Sequence, residues 1–523
     1  MTTMNLHRML LVGVGLASAC LSGQIASGRD WPQWCGSDGK NMVAEEHGLP
    51  DSFVPGEKDP LGSGILMETT RNVKWAIKPG QHTCGTPVIA AGKVFVGCLV
   101  DKQGVLRCLD EKTGKELWQW KAPLREKIKI DGWKWEISVN FIPQQLGVCS
   151  SPVVDGDRLY FVTHRFEVLC LDVNGQSGAE AGQARVIWSY DLWKELHVLP
   201  SDAANGCAVI DGDVLYVSTS NGVDRAPNEK DQTHHTPPFP DAPNVIALDK
   251  RTGRLLARDE APIAQHMLHG QWSSVSLGNV NGRKLVFFGG GDGVCYAFEA
   301  LTAMPDKPVT LKTVWSYDCV PPEYKAFGDL DWANHYFLGD KRNKQAFNKS
   351  NDGTFVGMSE IIATPVFQSN RVYAAIGRDP EHGRGRGALH CIDATQTGDI
   401  TKSGRIWCYQ GLDRTLATVS IADGLLYVGD VGGRLHCLEV ATGHCLWVHD
   451  GHFRTIASSL VADGKIYFPT ERHLWILAAG RELKVLSQIN LGAPIWAPVV
   501  AANGTLYVAS KNYLWAVQKL EQP

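Results

Sequence analysis

Eight times along the chain a tight turn leads into an alternating apolar segment, and this repetition restricts the fold to a set of like units packed side by side. The copies read AAGKVFV at Ala90, DGDRLYF at Asp155, DGDVLYV at Asp211 and NGRKLVF at Asn281. They continue as SNRVYA at Ser369, DGLLYV at Asp423, DGKIYF at Asp463 and NGTLYV at Asn503. Glycine in most copies supplies the turn's backbone angles, and the period of two that follows is that of a strand. A short apolar strand precedes each turn (TPVIA, SPVVD, CAVID, SSVSL, TPVFQ, TVSIA, SSLVA, APVVA). A third follows, as in VLRCLD, VLCLD, VIALD, VCYAFE, LHCID and LHCLE, and a fourth often carries tryptophan, at Trp118, Trp188, Trp315, Trp407 and Trp447.

Up to four short antiparallel strands repeated eight times predict an all-β, eight-bladed β-propeller. A lone blade cannot bury both faces, so each needs its neighbours. The outer-strand tryptophan is expected to cover the next blade, its indole N–H finding a turn carbonyl. The Thr-Gly pairs at Thr113-Gly114, Thr252-Gly253 and Thr442-Gly443 let the chain reverse just before it. The eighth unit stops after its third strand, YLWAVQKL, whereas residues 72–77 (NVKWAI) read as an outer strand with its own Trp75. That segment is predicted to complete blade eight and close the ring, which removes free edges. The expected division is 1–28 export signal, 29–71 N-terminal extension and 72–520 propeller.

The chain's 523 residues carry a net charge of −4, with no basic run to suggest a nucleic-acid partner. His7 and Arg8 precede an apolar run at residues 9–19, followed by small residues, as in an export signal. Ala26-Ser27-Gly28 would release a soluble protein; residues 16–20 (LASAC) form a loose lipobox that would leave a lipid anchor on Cys20. The expected location is periplasmic or extracellular. No later segment offers about twenty apolar residues, so no transmembrane segment is expected. Cys108, Cys170, Cys391 and Cys437 share one place in the repeat and read as small buried hydrophobes. No CxxCH, CxxC or Cys-Cys occurs, which argues against covalent haem and a structural zinc.

The turn glycines and their counterparts fall at 92, 156, 212, 282, 370, 424, 464 and 504, so the shortest intervals are 40 residues and the longest 88. The excess lies mainly in outer-to-inner connections and in second-to-third-strand connections, which emerge on one face of a blade. Moderate extensions near Ser177, Ala303 and Thr397 belong to the other face. One face is therefore decorated, and loops on a rigid scaffold are where binding tends to sit. Candidate ligand-face residues are Trp133, Trp135, Trp193, His269, Trp272 and Trp332, with Asp379, Glu381, His382 and Arg384 in a glycine-rich loop. Each also has a plainer reading, as loop packing or a salt-bridged turn. His234-His235 lacks a third metal ligand, and no metal site is expected.

The pattern SSPVV…DGxLY…LxCLDxxTGxxLW resembles the pyrroloquinoline-quinone (PQQ) repeat of quinoprotein alcohol dehydrogenases and of the propeller lipoprotein in the outer-membrane assembly machinery. DWPQWCG at Asp30, GQWSSV at Gly270, GGGDGVCYAFE at Gly289 and GRDPEHGRGRG at Gly377 are similar to secreted bacterial propellers of PQQ-binding-like type. The resemblance spans about Asp30 to Leu520 and implies fold more than activity. Two functions are expected to compete. One is a non-catalytic exported propeller whose decorated face binds an envelope protein or a glycan, with no cofactor. The alternative is a PQQ- and calcium-dependent dehydrogenase oxidising an alcohol or sugar. The dehydrogenase would need a carboxylate base, hard oxygen ligands and a cation. Its candidates are Asn205, Asp292 and Glu360 for oxygens and Arg414 or Arg454 for the cation, with no motif matching the dehydrogenases residue by residue.

Overall fold

A computed structural model describes residues 29–520 apart from 63, 84, 124–127, 130–135, 138–145, 201–203, 223–236, 268–269, 328–329, 332–359 and 378–385. Eight antiparallel sheets form the blades, each with four strands from the axis outward, in chain order except in blade eight. The inner strands are Val88–Ala90, Val153–Asp155, Val209–Asp211, Ser276–Val280, Val366–Gln368, Ser420–Ala422, Leu460–Ala462 and Val500–Ala502. The outer strand of blade eight is Val73–Ile77, which pairs antiparallel with Leu514–Val517, so the chain closes as its sequence implies.

The outer-strand tryptophans dock blade to blade. Their indole N–H groups donate across the seam: Trp75 to Glu111 O at 3.0 Å, Trp118 to Val173 O at 3.0 Å, Trp188 to Lys250 O at 3.0 Å. Trp315 reaches Ala394 O at 3.2 Å, Trp407 Val440 O at 2.9 Å and Trp447 Gly480 O at 3.1 Å. The turn glycine has a second role beyond reversal. Gly114 has φ +70°, and a methyl group there would stand 2.7 Å from the Trp75 ring, so glycine makes room for the tryptophan of the preceding blade. Burial is uneven: Trp118 and Trp315 are fully buried, whereas Trp447 is only half-buried. Cys108, Cys170, Cys391 and Cys437 lie in the core, and the twelve described cysteines are free thiols.

The N-terminal segment does something its composition does not announce. Residues 29–46 wind through the ring at the end where the inner strands turn. Trp31 exchanges two backbone hydrogen bonds with Ile89, at 2.8 and 3.0 Å. The N–H groups of Val154, Leu277, Phe367 and Val461 donate to the carbonyls of Pro32, Asp38, Gly39 and Met42 at 2.8, 2.8, 2.9 and 3.0 Å. The Asn41 side chain both donates to and accepts from Ile421 at 2.8 Å. Lys40 Nζ reaches Ala208 O at 3.4 Å, and the Glu46 carboxylate accepts from the N–H groups of Asn503 and Gly504 at 3.2 and 2.7 Å. Every blade is thus touched, and inward strand N–H groups that would otherwise lack partners are satisfied. The segment is a plug, and the channel is closed at this end.

The three moderate extensions on the same side guard blade edges. Val309–Thr310 pairs parallel with the outer strand Leu255–Arg258, and Gly398–Asp399 with Thr313–Asp318. Gln183 makes the equivalent bridge to Gln119. Each extension covers the outer edge of the preceding blade, a place where free strand edges invite unwanted pairing.

Candidate functional site

At the end of the wheel opposite the plug lie the residues that lead into each inner strand. A belt of small polar side chains comes first: Thr86, Ser151, Cys207, Ser274, Thr364, Thr418 and Ser458, with Pro498 in blade eight. Neighbouring blades are stitched there. The Ser151 N–H donates to Cys207 Sγ at 3.2 Å and the Cys207 N–H to Ser274 Oγ at 2.9 Å. The Thr364 N–H donates to Thr418 Oγ1 at 3.1 Å and the Thr418 N–H to Ser458 Oγ at 2.9 Å. From the plug, Trp34 Nε1 donates to Thr364 Oγ1 at 3.1 Å, which brings an indole from the closed end to the level of the belt.

Two residues before the belt, at one register position, stand Cys149, Asn205, Trp272, Ile362, Leu416, Ile456 and Trp496, with Cys84 outside the described residues. All seven retain solvent exposure, whereas the residue after each is buried. The Trp272 indole folds over Gly270, where a methyl would come within 2.6 Å of it. Trp496 stands edge-on to His82 at 6.2 Å, with Lys511 Nζ 5.3 Å from its ring centre.

Below the belt the plug carries an unusual group. Lys40 is fully buried, its amine donating to Gln33 Oε1 at 2.6 Å, and burial lowers its pKa from the usual lysine range. The same burial pushes the Cys35 thiol well up. This centre is sealed from solvent.

The candidate dehydrogenase residues differ in their settings. Asp292 is buried with both oxygens engaged, Oδ2 by the Tyr296 hydroxyl at 2.6 Å and Oδ1 by the Val294 N–H at 3.1 Å. Burial pushes its carboxyl up to about 7. Glu360 is fully buried, bridged through its backbone to Gly377, with Oε2 3.5 Å from the Gly270 N–H. Arg414 is buried beside Asp413, and Arg454 spends its guanidinium on Glu471 at 2.8 and 2.5 Å. Asn205 is exposed at the mouth. Among the described residues no three or more His, Cys, Asp or Glu side chains gather as metal ligands. Glu360 and the turn before Asp292 both lie against Gly270, while Arg454 is spent on Glu471, so no complete quinone and calcium site is assembled among the described residues.

Of the ligand-face candidates, Trp272 is at the mouth. Trp193, partly exposed, stands edge-on to Phe239 at 5.2 Å and His197 at 5.8 Å. Trp133, Trp135, His269, Trp332, Asp379, Glu381, His382 and Arg384 lie outside the described residues, as do His234 and His235. Trp34, Ile362, Leu416, Ile456 and Trp496 were not singled out by sequence. Aligning the eight repeats on their turns would have placed the last four at one register.

Fold and repeat together define an eight-bladed β-propeller of four-stranded antiparallel blades. Within it, residues 65–318, just under half the chain, match the family model described as outer membrane protein assembly factor BamB. No curated protein matches the sequence. The structure of BamB from Moraxella catarrhalis is similar at 15% identity and a TM-score of 0.51, covering 86% of this chain and 98% of that one. A europium-containing methanol dehydrogenase is similar at 12% identity and a TM-score of 0.57, covering 93% of this chain and 90% of that one. At such identities the likeness is one of fold.

Proposed function

We propose that this chain is an exported, non-catalytic propeller that binds an envelope protein or a glycan through its decorated face, at a periplasmic or extracellular location, with a lipid on Cys20 where that cysteine is processed. The observation that carries the reading is the asymmetry of the wheel. One end is closed by residues 29–46 and its extensions are spent on guarding blade edges, while the long connections read from the sequence belong to the opposite end. The BamB likeness, to a protein described as an assembly factor, favours a protein partner. Among the described residues no helix is long and apolar enough to cross a membrane. The test is to purify the mature protein, add PQQ and Ca²⁺, and follow quinone absorbance and dye reduction with alcohols and sugars, alongside envelope pull-downs and glycan arrays. A specific partner without quinone turnover supports the reading. Stoichiometric quinone uptake with turnover overturns it in favour of the dehydrogenase.

A further inference from the structure

We propose that Glu46 is the receptor for a new chain terminus: hydrolysis of the bond before Arg29 frees an α-ammonium group that this buried carboxylate binds, locking the seam where blade eight meets blade one.

The seam is built around one turn. Between the blade-eight strands Val500–Ala502 and Thr505–Ala509, Asn503 and Gly504 take φ +53° and +70°. Successive N–H groups of such a turn form a concavity for an anion. Glu46 fills it, Oε1 accepting from the Asn503 N–H at 3.2 Å and Oε2 from the Gly504 N–H at 2.7 Å. The main-chain nitrogen of Arg29 donates to the same Oε1 at 2.9 Å. Asp30 then spans the two blades: Oδ2 accepts from the Ala91 N–H of blade one at 2.9 Å and Oδ1 from the Asn503 side-chain amide at 3.0 Å. Glu111 of blade one accepts from that amide and from the Tyr507 hydroxyl, each at 3.1 Å. Arg29 and Asp30 thus lie where the first and last blades are joined.

Charge is what this seam lacks. Glu46 is 4% exposed, and Glu111 is buried beside it in the same network. Among the described residues the Arg29 guanidinium pairs with Glu45, and no cationic side chain pairs with Asp30, Glu46 or Glu111. A buried carboxylate is costly without a counter-charge, and an amide N–H brings only a partial one. Hydrolysis by a leader peptidase adds water across the Gly28–Arg29 bond, leaving a carboxylate on Gly28 and an amine on Arg29 that takes up a proton. The full positive charge then arises on an atom already within bonding distance of Glu46, and a neutral hydrogen bond becomes a charge-assisted one. Cleavage at Cys20 would instead leave an amide at Arg29 and no such charge.

The lock rests on the export reading, and one experiment separates their failures. The mature protein is purified from the envelope, sequenced from its N terminus and treated at pH 7 with an amine-acylating reagent, folded and in urea. The rate at the terminal amine is read by mass spectrometry. Arg29 is expected as the first residue, with acylation roughly tenfold or more slower in the folded chain, because a neighbouring carboxylate holds the amine protonated. Glu46→Gln, folded by far-UV circular dichroism, should recover most of that rate. Should it fail to fold, a chain processed with two extra residues ahead of Arg29 serves instead; limited proteolysis should cut it within residues 29–46 roughly tenfold faster than the native chain. An exported chain that starts elsewhere, acylation as fast folded as unfolded, protection that folded Glu46→Gln leaves unchanged, or an extension without effect overturns the lock alone. An uncut chain held in the cytoplasm overturns the export reading with it.

Discussion

Replacing Trp118 with alanine tests the docking device directly. The ring is 1% exposed, tilted against Phe95 at a centroid distance of 5.9 Å, and its N–H donates to Val173 O at 3.0 Å. A buried tryptophan removes roughly 200 Å² from water, which at about 25 cal/mol per Å² is about 5 kcal/mol as an upper bound. Large-to-small core changes of this kind cost about 3–5 kcal/mol, and the orphaned carbonyl adds about 1 kcal/mol. Trp118→Phe should lose about 1–2 kcal/mol, since most of the area survives. The half-buried Trp447, despite an equivalent bond to Gly480 O, should cost only about 1–3 kcal/mol as alanine. Gly175 offers a second handle: its φ is +71°, and a methyl there would sit 2.6 Å from the Trp118 ring. Gly175→Ala should therefore cost about 2–4 kcal/mol in the native chain but only about 1 kcal/mol beside Trp118→Ala, where strain remains and the clash is gone. Urea unfolding followed by far-UV circular dichroism, with slopes checked for constancy, reads all of these. Equal costs for Trp118→Ala and Trp447→Ala, or a Gly175→Ala effect independent of Trp118, would refute the reasoning.

Glu46→Ala removes a carboxylate that accepts from the backbone N–H groups of Arg29, Asn503 and Gly504, and should lower stability by about 2–4 kcal/mol while raising proteolysis within residues 29–46. His390, buried against Tyr317 at 3.0 Å, has its pKa pushed down to about 4 by burial. Because the folded value lies below the unfolded value of about 6.5, the unfolded chain binds the extra proton, and stability falls as pH drops from about 6.5 toward 4. At pH 5 the loss is about 2 kcal/mol, and thermal melting of His390→Gln beside the native chain should show a flatter acid limb. Asp292 has the opposite sign. With its folded value pushed up to about 7, it weakens the fold as pH rises from about 4 through 7, so Asp292→Asn should gain most over the native chain near pH 8 in the same melting series.

The architecture was legible because a propeller writes its plan into side chains. Turn glycines, a period of two and the outer tryptophans are all residue-specific, and even the closing strand carries its Trp75. The plug was not legible, for a physical reason. Its grip on the blades at Pro32, Asp38, Gly39 and Met42 is made by backbone carbonyls, which any residue supplies, and nothing in DWPQWCGSDGKNM alternates as a strand would. The extensions near Ala303 and Thr397 were visible as extra length, but length does not say that they turn back onto the preceding blade. At the site, attention to charge drew the reading to Glu360, Arg414 and Arg454, two residues short of the partly exposed Ile362, Leu416 and Ile456. The side chains there are largely apolar, and apolar residues in a strand-rich chain look like core until their exposure is known.

The plug also bears on how the two ends of this wheel are held. Inner strands present inward N–H groups on every blade, and an unfilled channel would leave them to water or to foreign chains. Residues 29–46 satisfy them at one end with the protein's own backbone, and the same residues continue into the segment that supplies the last outer strand, so filling the axis and closing the ring are one covalent act. At the other end the belt from Ser151 to Ser458 satisfies backbone N–H groups with side chains of the next blade. That arrangement ties blade to blade without an inserted chain, so the two ends of the wheel are held by different devices, backbone from residues 29–46 at one and side chains of the neighbouring blade at the other.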